Sequence, residues 1–548
     1  MTKFSNISTN VNNLSFFDIA KNWLNGNWVI GLIVFIFLFF EIFSLVESSN
    51  LIFLTFITFN FNWIKFFFFF FFSFFFINDS NYNYDNSSLR EISLTFALMT
   101  FLVSLLCFIT FDPYKFNFQL LSLNDYQLEF FNFFFSSQID GISIFFILLS
   151  TFIIPICILV SWEIVAYLRE FIICFFAIEL FLLIAFSTTN LLVFFIAFES
   201  ILIPMFLVIG IWGTRFERIK ASYFFFFYTL VGSIFFLFNL LFIYTFFGTF
   251  DINYLYYIEH EIPLSLSRLL WIFFFLAFAV KIPMFPFHIW LPEAHVEAPT
   301  AGSILLAGVL LKLGGYGFLR FSIGLFPLAS KFFLPIVGIL CFLSITYASL
   351  VTLRQLDLKR LIAYSSIAHM NYIVLGLFSF THLGIIGGIY LMLGHGVVSS
   401  ALFLLVGVLY DRHHVRLLSY YSGLVLVMPL FSTLFGFFTF TNMAFPGLAN
   451  FPGELLILIG LVEANFVIAL STLFGLFLSA VYSVWLLNRL IFGNLKIIYT
   501  TTFSDISRKE FYSVFPLIVL TFIMGLLPNF FLKYISFSVI YLLEKNFY

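Results

Sequence analysis

A lysine interrupts the run LLWIFFFLAFAVKIPMFPFHIW at 269–290, two residues before a proline. In hydrocarbon the charge of this residue, Lys281, costs roughly 2.5–3.5 kcal/mol on insertion scales, so its presence there points to a function. Glu199 stands in LLVFFIAFESILIPMFLVIGIWG, and Lys312 in AGSILLAGVLLKLGGYGFLRF beside Gly314, Gly315 and Gly317. His369, His395 and Glu454 lie in later apolar runs, His288 follows Lys281 by seven residues, and Glu179 adds a further carboxylate. A row of carboxylates, lysines and histidines at mid-membrane is the equipment of a proton relay. A lysine taken out of water holds its proton less firmly, and a neighbouring carboxylate restores the hold. A Glu–Lys pair that approaches and separates is therefore a switch. Plainer readings stay open for each group. A Glu–Lys pair also serves as a structural ion pair, lone histidines bond to backbone carbonyls, and Glu179 can be capped locally.

These groups need elements that can hold them in a bilayer. Of the 548 residues 62% are hydrophobic and 9% charged, with mean hydropathy +1.09, a balance no soluble domain has. Apolar windows fall at 28–46, 51–77, 92–111, 141–161, 169–187, 190–212, 222–247, 268–291, 301–320, 331–352, 360–379, 384–410, 422–464, 466–491 and 512–540. The expected fold is an all-α polytopic membrane protein of about 14 transmembrane helices, with fifteen as the alternative. Pro283 and Pro286 should break the helix beside Lys281, and Pro446 and Pro452 should break the window that holds Glu454. Interrupted helices in corresponding positions of two halves suggest two inverted five-helix repeats.

Several function classes drop out. Net charge is −2, so there is no polybasic case for nucleic acid. Cys107, Cys157, Cys174 and Cys341 stand singly and form no CxxC, and neither a P-loop nor a GxGxxG follows a strand, so no metal or cofactor site is expected in the chain. Glu293, His295 and Glu297 alternate as metal ligands can, but a Pro-bounded polar loop suits hydrogen bonding at a helix end better. Asp411-Arg412-His413-His414 reads as a solvated loop. The start, MTKFSNISTNVNNLSFFDIA, is a poor secretory or transit peptide. The 91 phenylalanines, with the block Phe66–Phe72, fit a codon bias in an AT-rich organellar genome and mark no site.

Four segments carry a family resemblance: FAVKIPMFPFHIWLPEAHVEAPTAGSILLAGVLLKLGGYG (278–317), FESILIPMFLVIGIWG (198–213), DLKRLIAYSSIAHMNYIVLG (357–376) and FPGELLILIG (451–460). They resemble the chain 4 family of respiratory complex I, NADH:ubiquinone oxidoreductase, whose members are antiporter-like proton-pumping subunits. IDGISIFFILL (139–149) resembles the opening of that family's third span, which numbers the spans here. Arg215, Arg218, Lys220, Arg354, Lys359, Arg360, Arg412, Arg416, Lys496, Arg508 and Lys509 then all follow odd-numbered spans, while Arg268, Arg320 and Lys331 fall opposite. Odd connections therefore face the negative compartment.

The resemblance implies a divergent membrane segment at 1–137, span 3 at 138–165, repeats at 166–322 (spans 4–8) and 323–492 (spans 9–13), and a last span at 493–548. It implies proton translocation by Glu199, Lys281, Lys312, Glu454, His288, His369 and His395. No redox centre is expected in this chain, while the whole complex would use NADH, FMN, iron–sulfur clusters and ubiquinone. Implied partners are the other membrane-arm subunits, neighbouring antiporter-like chains and phospholipids, in the mitochondrial inner membrane. The alternative is a stand-alone or Mrp-type cation/proton antiporter. A weaker third is a scaffold whose buried charges only specify packing.

Overall fold

In the computed structural model, residues 86–114, 119, 127–128, 133–134, 137–258, 262–496 and 503–545 are described. The apolar windows at 28–46 and 51–77 lie outside the described residues. Helix α1 (Asn86–Thr110) precedes a two-residue antiparallel pair, β1 (Gln127–Leu128) and β2 (Phe133–Phe134). Span 3 is α2 (Ser143–Val160) and span 4 is α3 (Leu168–Ser187). Span 5 comes in two pieces, α4 (Leu191–Ser200) and α5 (Leu202–Trp212), and span 6 is α6 (Arg218–Phe247), followed by the short α7 (Ile252–Ile258). Span 7 divides into α8 (Leu264–Lys281) and α9 (Trp290–Glu297). Span 8 holds α10 (Thr300–Leu305) and α11 (Leu311–Gly317), each followed by a π-helical stretch, Leu306–Leu310 and Phe318–Ile323.

Spans 9 to 11 are α12 (Pro327–Arg354), α13 (Leu358–Leu377) and α14 (His382–His413). Span 12 is α15 (Pro429–Asn442) and α16 (Asn450–Ala464), span 13 is α17 (Phe466–Ile491), and the last window holds α18 (Arg508–Leu526) and α19 (Pro528–Lys545). Among the described residues, eleven helical stretches are long and apolar enough to cross a membrane. The expected all-helical membrane architecture is thus observed.

Local chemistry sets the helix starts. The side chains of Asn190, Asp357, Thr381 and Asn465 accept from the first free N–H groups of α4, α13, α14 and α17. Ser507 and Glu510 form a reciprocal capping box on α18, and Pro327 and Pro429 occupy first-turn positions of α12 and α15, where a missing N–H costs nothing.

Three boundaries differ from expectation. The break in span 12 runs from Met443 to Ala449 and contains Pro446, but Pro452 falls in the first turn of α16. A proline there removes an N–H that has no intrahelical partner, so it starts a helix instead of breaking one. The last window is also not continuous: Leu527 leaves the helical region before Pro528 and divides α18 from α19. Asp411 to His413 extend α14 instead of forming a loop.

Two stretches are enclosed by the rest of the chain: residues 301–323 of span 8 and 384–409 of α14. The other spans surround them, and α6 turns Phe227, Phe238 and Leu241 outward. The enclosed pair carries Lys312 and His395, so the fold puts its central charges where lipid does not reach.

Candidate functional site

Glu199 ends on a helix break that local apolar pattern does not reveal. Pro204 has no N–H and its ring opposes the carbonyl of Ser200, so α4 stops at Ser200 and α5 begins at Leu202. The Ser200 hydroxyl adds a back-bond to the Ile196 carbonyl at 2.7 Å, a contact that bends helices. The Glu199 side chain thereby meets Ser233 of α6 and lies in the field of Lys281, while its Oε1 is buried without a hydrogen-bond partner.

Lys281 is the last residue of α8 and is 4% exposed. Ile282 is extended because Pro283 follows it, and the chain re-enters a helix at Trp290. The carbonyls freed at this break are partly satisfied: Trp290 Nε1 donates to the Val280 carbonyl at 2.9 Å, and Asn371 Nδ2 to that of Pro283 at 3.4 Å. The C-terminus of a half-helix carries partial negative charge, which favours a cation at this residue. The Lys281 Nζ stands 4.3 Å from the centre of the Phe198 ring, and the ion pairs within 4 Å among the described residues include neither Lys281 nor Glu199. The pair is present but open.

Gly314 lets the break approach span 8. A Cβ there would sit 2.6 Å from Ile282 Cγ1 and 3.2 Å from Lys281 Cβ. Gly314→Ala should destabilise by about 1–3 kcal/mol, the usual cost of overpacking. Thermal unfolding followed by dye labelling of the buried Cys157 and Cys341 measures it, and an unchanged midpoint would refute the close packing.

Lys312 is fully buried between the two π-helical stretches. A π turn widens the helix and shifts its carbonyls out of register, a feature common at functional sites. Lys312 Nζ donates to the Ala307 carbonyl, five residues back, and meets His395 Nδ1 at 3.0 Å. From His395 the row continues: its ring lies 5.7 Å from that of His369, whose Nδ1 is 3.4 Å from Glu454 Oε1. That last contact is off the direction of a hydrogen bond and leaves Oε1 unpartnered. Lys312, His395, His369 and Glu454 therefore form one buried line from span 8 to span 12.

Two sequence candidates fall elsewhere. His288 packs against Phe285, Tyr347 and Tyr364, with its Nδ1 unpartnered. Glu179 accepts from Thr100 of α1 at 2.9 Å, has its Oε2 unpartnered, and makes no contact with the line just described.

The chain resembles known proteins along most of its length. A family profile described as NADH:quinone oxidoreductase/Mrp antiporter, TM, matches residues 188–480. The NADH-ubiquinone oxidoreductase chain 4 of Chondrus crispus is 52% identical over 83% of this chain and 92% of its own length. The chain belongs to the NADH-ubiquinone oxidoreductase chain 4 family. The chain 4 protein of Arabidopsis thaliana is 51% identical over 84% of this chain and 92% of its own. Respiratory complex I of Thermus thermophilus, solved with bound NADH, has a chain that superposes with TM-score 0.75 and 29% identity, covering 83% of this chain and 95% of that one. The Mrp complex of a Dietzia species superposes with TM-score 0.73 at 18% identity, over 83% of this chain and 50% of that one, a likeness of fold alone.

Within this chain 4 protein, local sequence reading missed several buried or paired groups. Tyr482 of α17 places its hydroxyl 3.3 Å from His369 Nε2, on the line to Glu454. Arg320, expected in a loop, is 5% exposed and paired with Asp140, 180 residues earlier. Arg416 is fully buried, donating to the Val296 carbonyl and standing 3.4 Å from Glu297 Oε1. Lys359, also buried, donates to the Ala298 carbonyl at 2.9 Å beside it. Arg412, in what reads as a solvated loop, is held at 2.7 Å by each carboxylate oxygen of Glu510. His295, between these groups and Lys312, stacks on Phe403 with centroids 4.6 Å apart. Among the described residues no His, Cys, Asp and Glu cluster has metal-ligand geometry.

The buried arginine yields a direct expectation. Arg416→Ala strands Glu297 without its cation, a change worth about 3–5 kcal/mol when one partner of a buried pair is removed. It should appear as a lower yield of folded chain in the membrane, read by immunoblot. Normal yield would show that Glu297 is satisfied another way.

Proposed function

We propose that this chain is a membrane-arm subunit of NADH:ubiquinone oxidoreductase that translocates protons while other subunits oxidise NADH and reduce ubiquinone. The observation that carries the reading is the enclosed line Lys312–His395–His369–Glu454, which lies in a family of proton-translocating complex subunits. Glu199 and Lys281 are the switch at the broken span 7: closing the pair holds a proton on the lysine, and opening it releases the proton toward Lys312. The hydrogen bonds of Lys312 go to Ala307 and His395, so the step from Lys281 to Lys312 requires water. Glu454 is the exit group, reached through His369 with Tyr482 alongside. His288, beside the broken span 7, belongs to the same proposed translocation set, and Glu179 is a further carboxylate outside this line.

The two broken spans, 7 and 12, support a division into five-helix repeats at 166–322 and 323–492, with 1–137, 138–165 and 493–548 as flanking segments. Electrons would pass through FMN and iron–sulfur clusters held by other subunits, and this chain would hold no redox cofactor. Neighbouring antiporter-like chains, other membrane-arm subunits and phospholipid would cover the exposed apolar faces. The setting is the mitochondrial inner membrane, as an organelle-encoded multi-pass protein; the Phe-rich composition and the chain 4 relatives of plants and algae support this.

Native electrophoresis of gently solubilised membranes, with in-gel NADH dehydrogenase staining and mass spectrometry of the band, tests the reading. Peptides of this chain in a very large NADH-oxidising assembly are expected. Migration alone, without that activity, would transfer the reading to a stand-alone antiporter.

A further inference from the structure

We propose that Tyr316, Arg320 and Asp140 form a barrier that stops protons on the positive side of the membrane from returning to Lys312. The inference rests on the proton-translocation reading and adds a function to residues which that reading leaves unused. Lys312 lies eight residues before Arg320 in span 8, roughly 12 Å along the helix at 1.5 Å per residue. Arg320 reaches the end of the bundle formed by 137–140, 188–190 and 251–256, which is the face opposite the cation-rich connections. A proton pumped outward is driven back by roughly 2.3 kcal/mol per 100 mV, so this short direct route must be closed.

Two layers close it. The inner layer is aromatic: the Tyr316 ring meets those of Phe146, Phe186 and Phe194, with centroids 5.9, 5.2 and 6.2 Å away. The Tyr316 hydroxyl is occupied as a donor to the Phe186 carbonyl at 3.4 Å. The outer layer is a fixed charge. The Arg320 guanidinium stands 5.2 Å from the Tyr316 ring centre and is bound by Asp140, whose other oxygen accepts from the Ser143 N–H at 2.9 Å. Arginine keeps its proton in proteins, so Arg320 passes none on and repels an approaching one. Each Asp140 oxygen is engaged, one by Arg320 and the other by the Ser143 N–H, so the carboxylate is held on the arginine.

Beside the pair lies a cavity of about 10 Å³, about the room one water needs, lined by Gln138, Thr188, Thr189, Ile252 and Tyr256 and closed on the inner side by Tyr316, Arg320 and Phe321. The Thr188 hydroxyl there is buried with no partner. A water held there would reach no further inward than the Tyr316 ring and the Arg320 guanidinium, which close the cavity toward Lys312.

The test uses the assembled complex in liposomes and measures passive proton conductance without NADH. A paired substitution, Asp140→Asn with Arg320→Gln, removes both charges while keeping hydrogen-bonding groups. The expected result is a severalfold larger leak per assembled complex, a lower proton-to-electron ratio, and NADH oxidation at the normal rate. Wild-type leak in a normally assembled complex overturns the barrier and leaves the pair a packing device. If that variant does not assemble, Tyr316→Ala decides, because it opens the aromatic layer and leaves both charges in place: increased leak supports the barrier, unchanged leak overturns it. Lys281→Met in the same liposomes separates the two ideas, since an unchanged proton-to-electron ratio at normal assembly removes the translocation reading whatever the leak.

Discussion

Lys281→Met should remove this subunit's share of proton pumping, with the chain still inserted and assembled. The side chain is enclosed and stands over Phe198, so an unbranched apolar residue of similar length fills its space and relieves a buried charge. Nothing structural is lost that Met cannot supply, and the titrating group is gone. The measurement is proton uptake by inverted membrane vesicles per NADH oxidised, normalised to assembled complex. Glu199→Gln should give the same phenotype more mildly, because the lysine remains and only its charge partner is neutralised. A wild-type proton-to-electron ratio in both variants, at normal assembly, would sink the switch at span 7.

Glu454→Gln should slow pumping and NADH:ubiquinone electron transfer together by about 10²-fold, the low end of the scale for a lost proton-transfer group. The glutamine keeps the shape of the side chain and its place beside His369, so packing around Tyr372 and Tyr482 is preserved. What it cannot do is receive a proton from the histidine row. Electron transfer at full rate with pumping abolished would show that the two processes are not tightly coupled through this residue.

The parts of this arrangement legible in the sequence are those written in neighbouring residues. Lys281 followed by Pro283 announces both the charge and the break, and Asn190, Asp357 and Thr381 announce helix starts. Pro446 and Pro452 look alike locally, yet one lies in a break and the other in a first turn, because the distinction depends on where the helix nucleates. The break after Glu199 was encoded by Pro204, four residues downstream, through a carbonyl the proline ring obstructs. Pairings across long intervals left no local mark: Asp140 and Arg320 meet across 180 residues, and Tyr482 reaches His369 across 113. Arg320 and Arg416 therefore looked like ordinary loop cations until the fold brought their partners in. The row Lys312–His395–His369–Glu454 was legible as a set of residue types, but its order came from the packing of spans 8, 10, 11 and 12.

The enclosure of spans 8 and 11 also bears on how this gene can drift. Phenylalanine supplies 91 residues of this chain, and a bulky ring is tolerated best where it meets fluid lipid or a forgiving neighbour. Helix α6 runs Phe224–Phe227 without interruption and holds Phe235, Phe236, Phe238, Phe242, Phe246 and Phe247, whereas α14 has Phe403 alone. In place of rings, α14 has Gly384, Gly387, Gly388, Gly394, Gly396 and Gly407, where neighbouring helices leave no space for them. Phenylalanine thus accumulates on an outward-facing helix such as α6, while close helix approach keeps it out of α14.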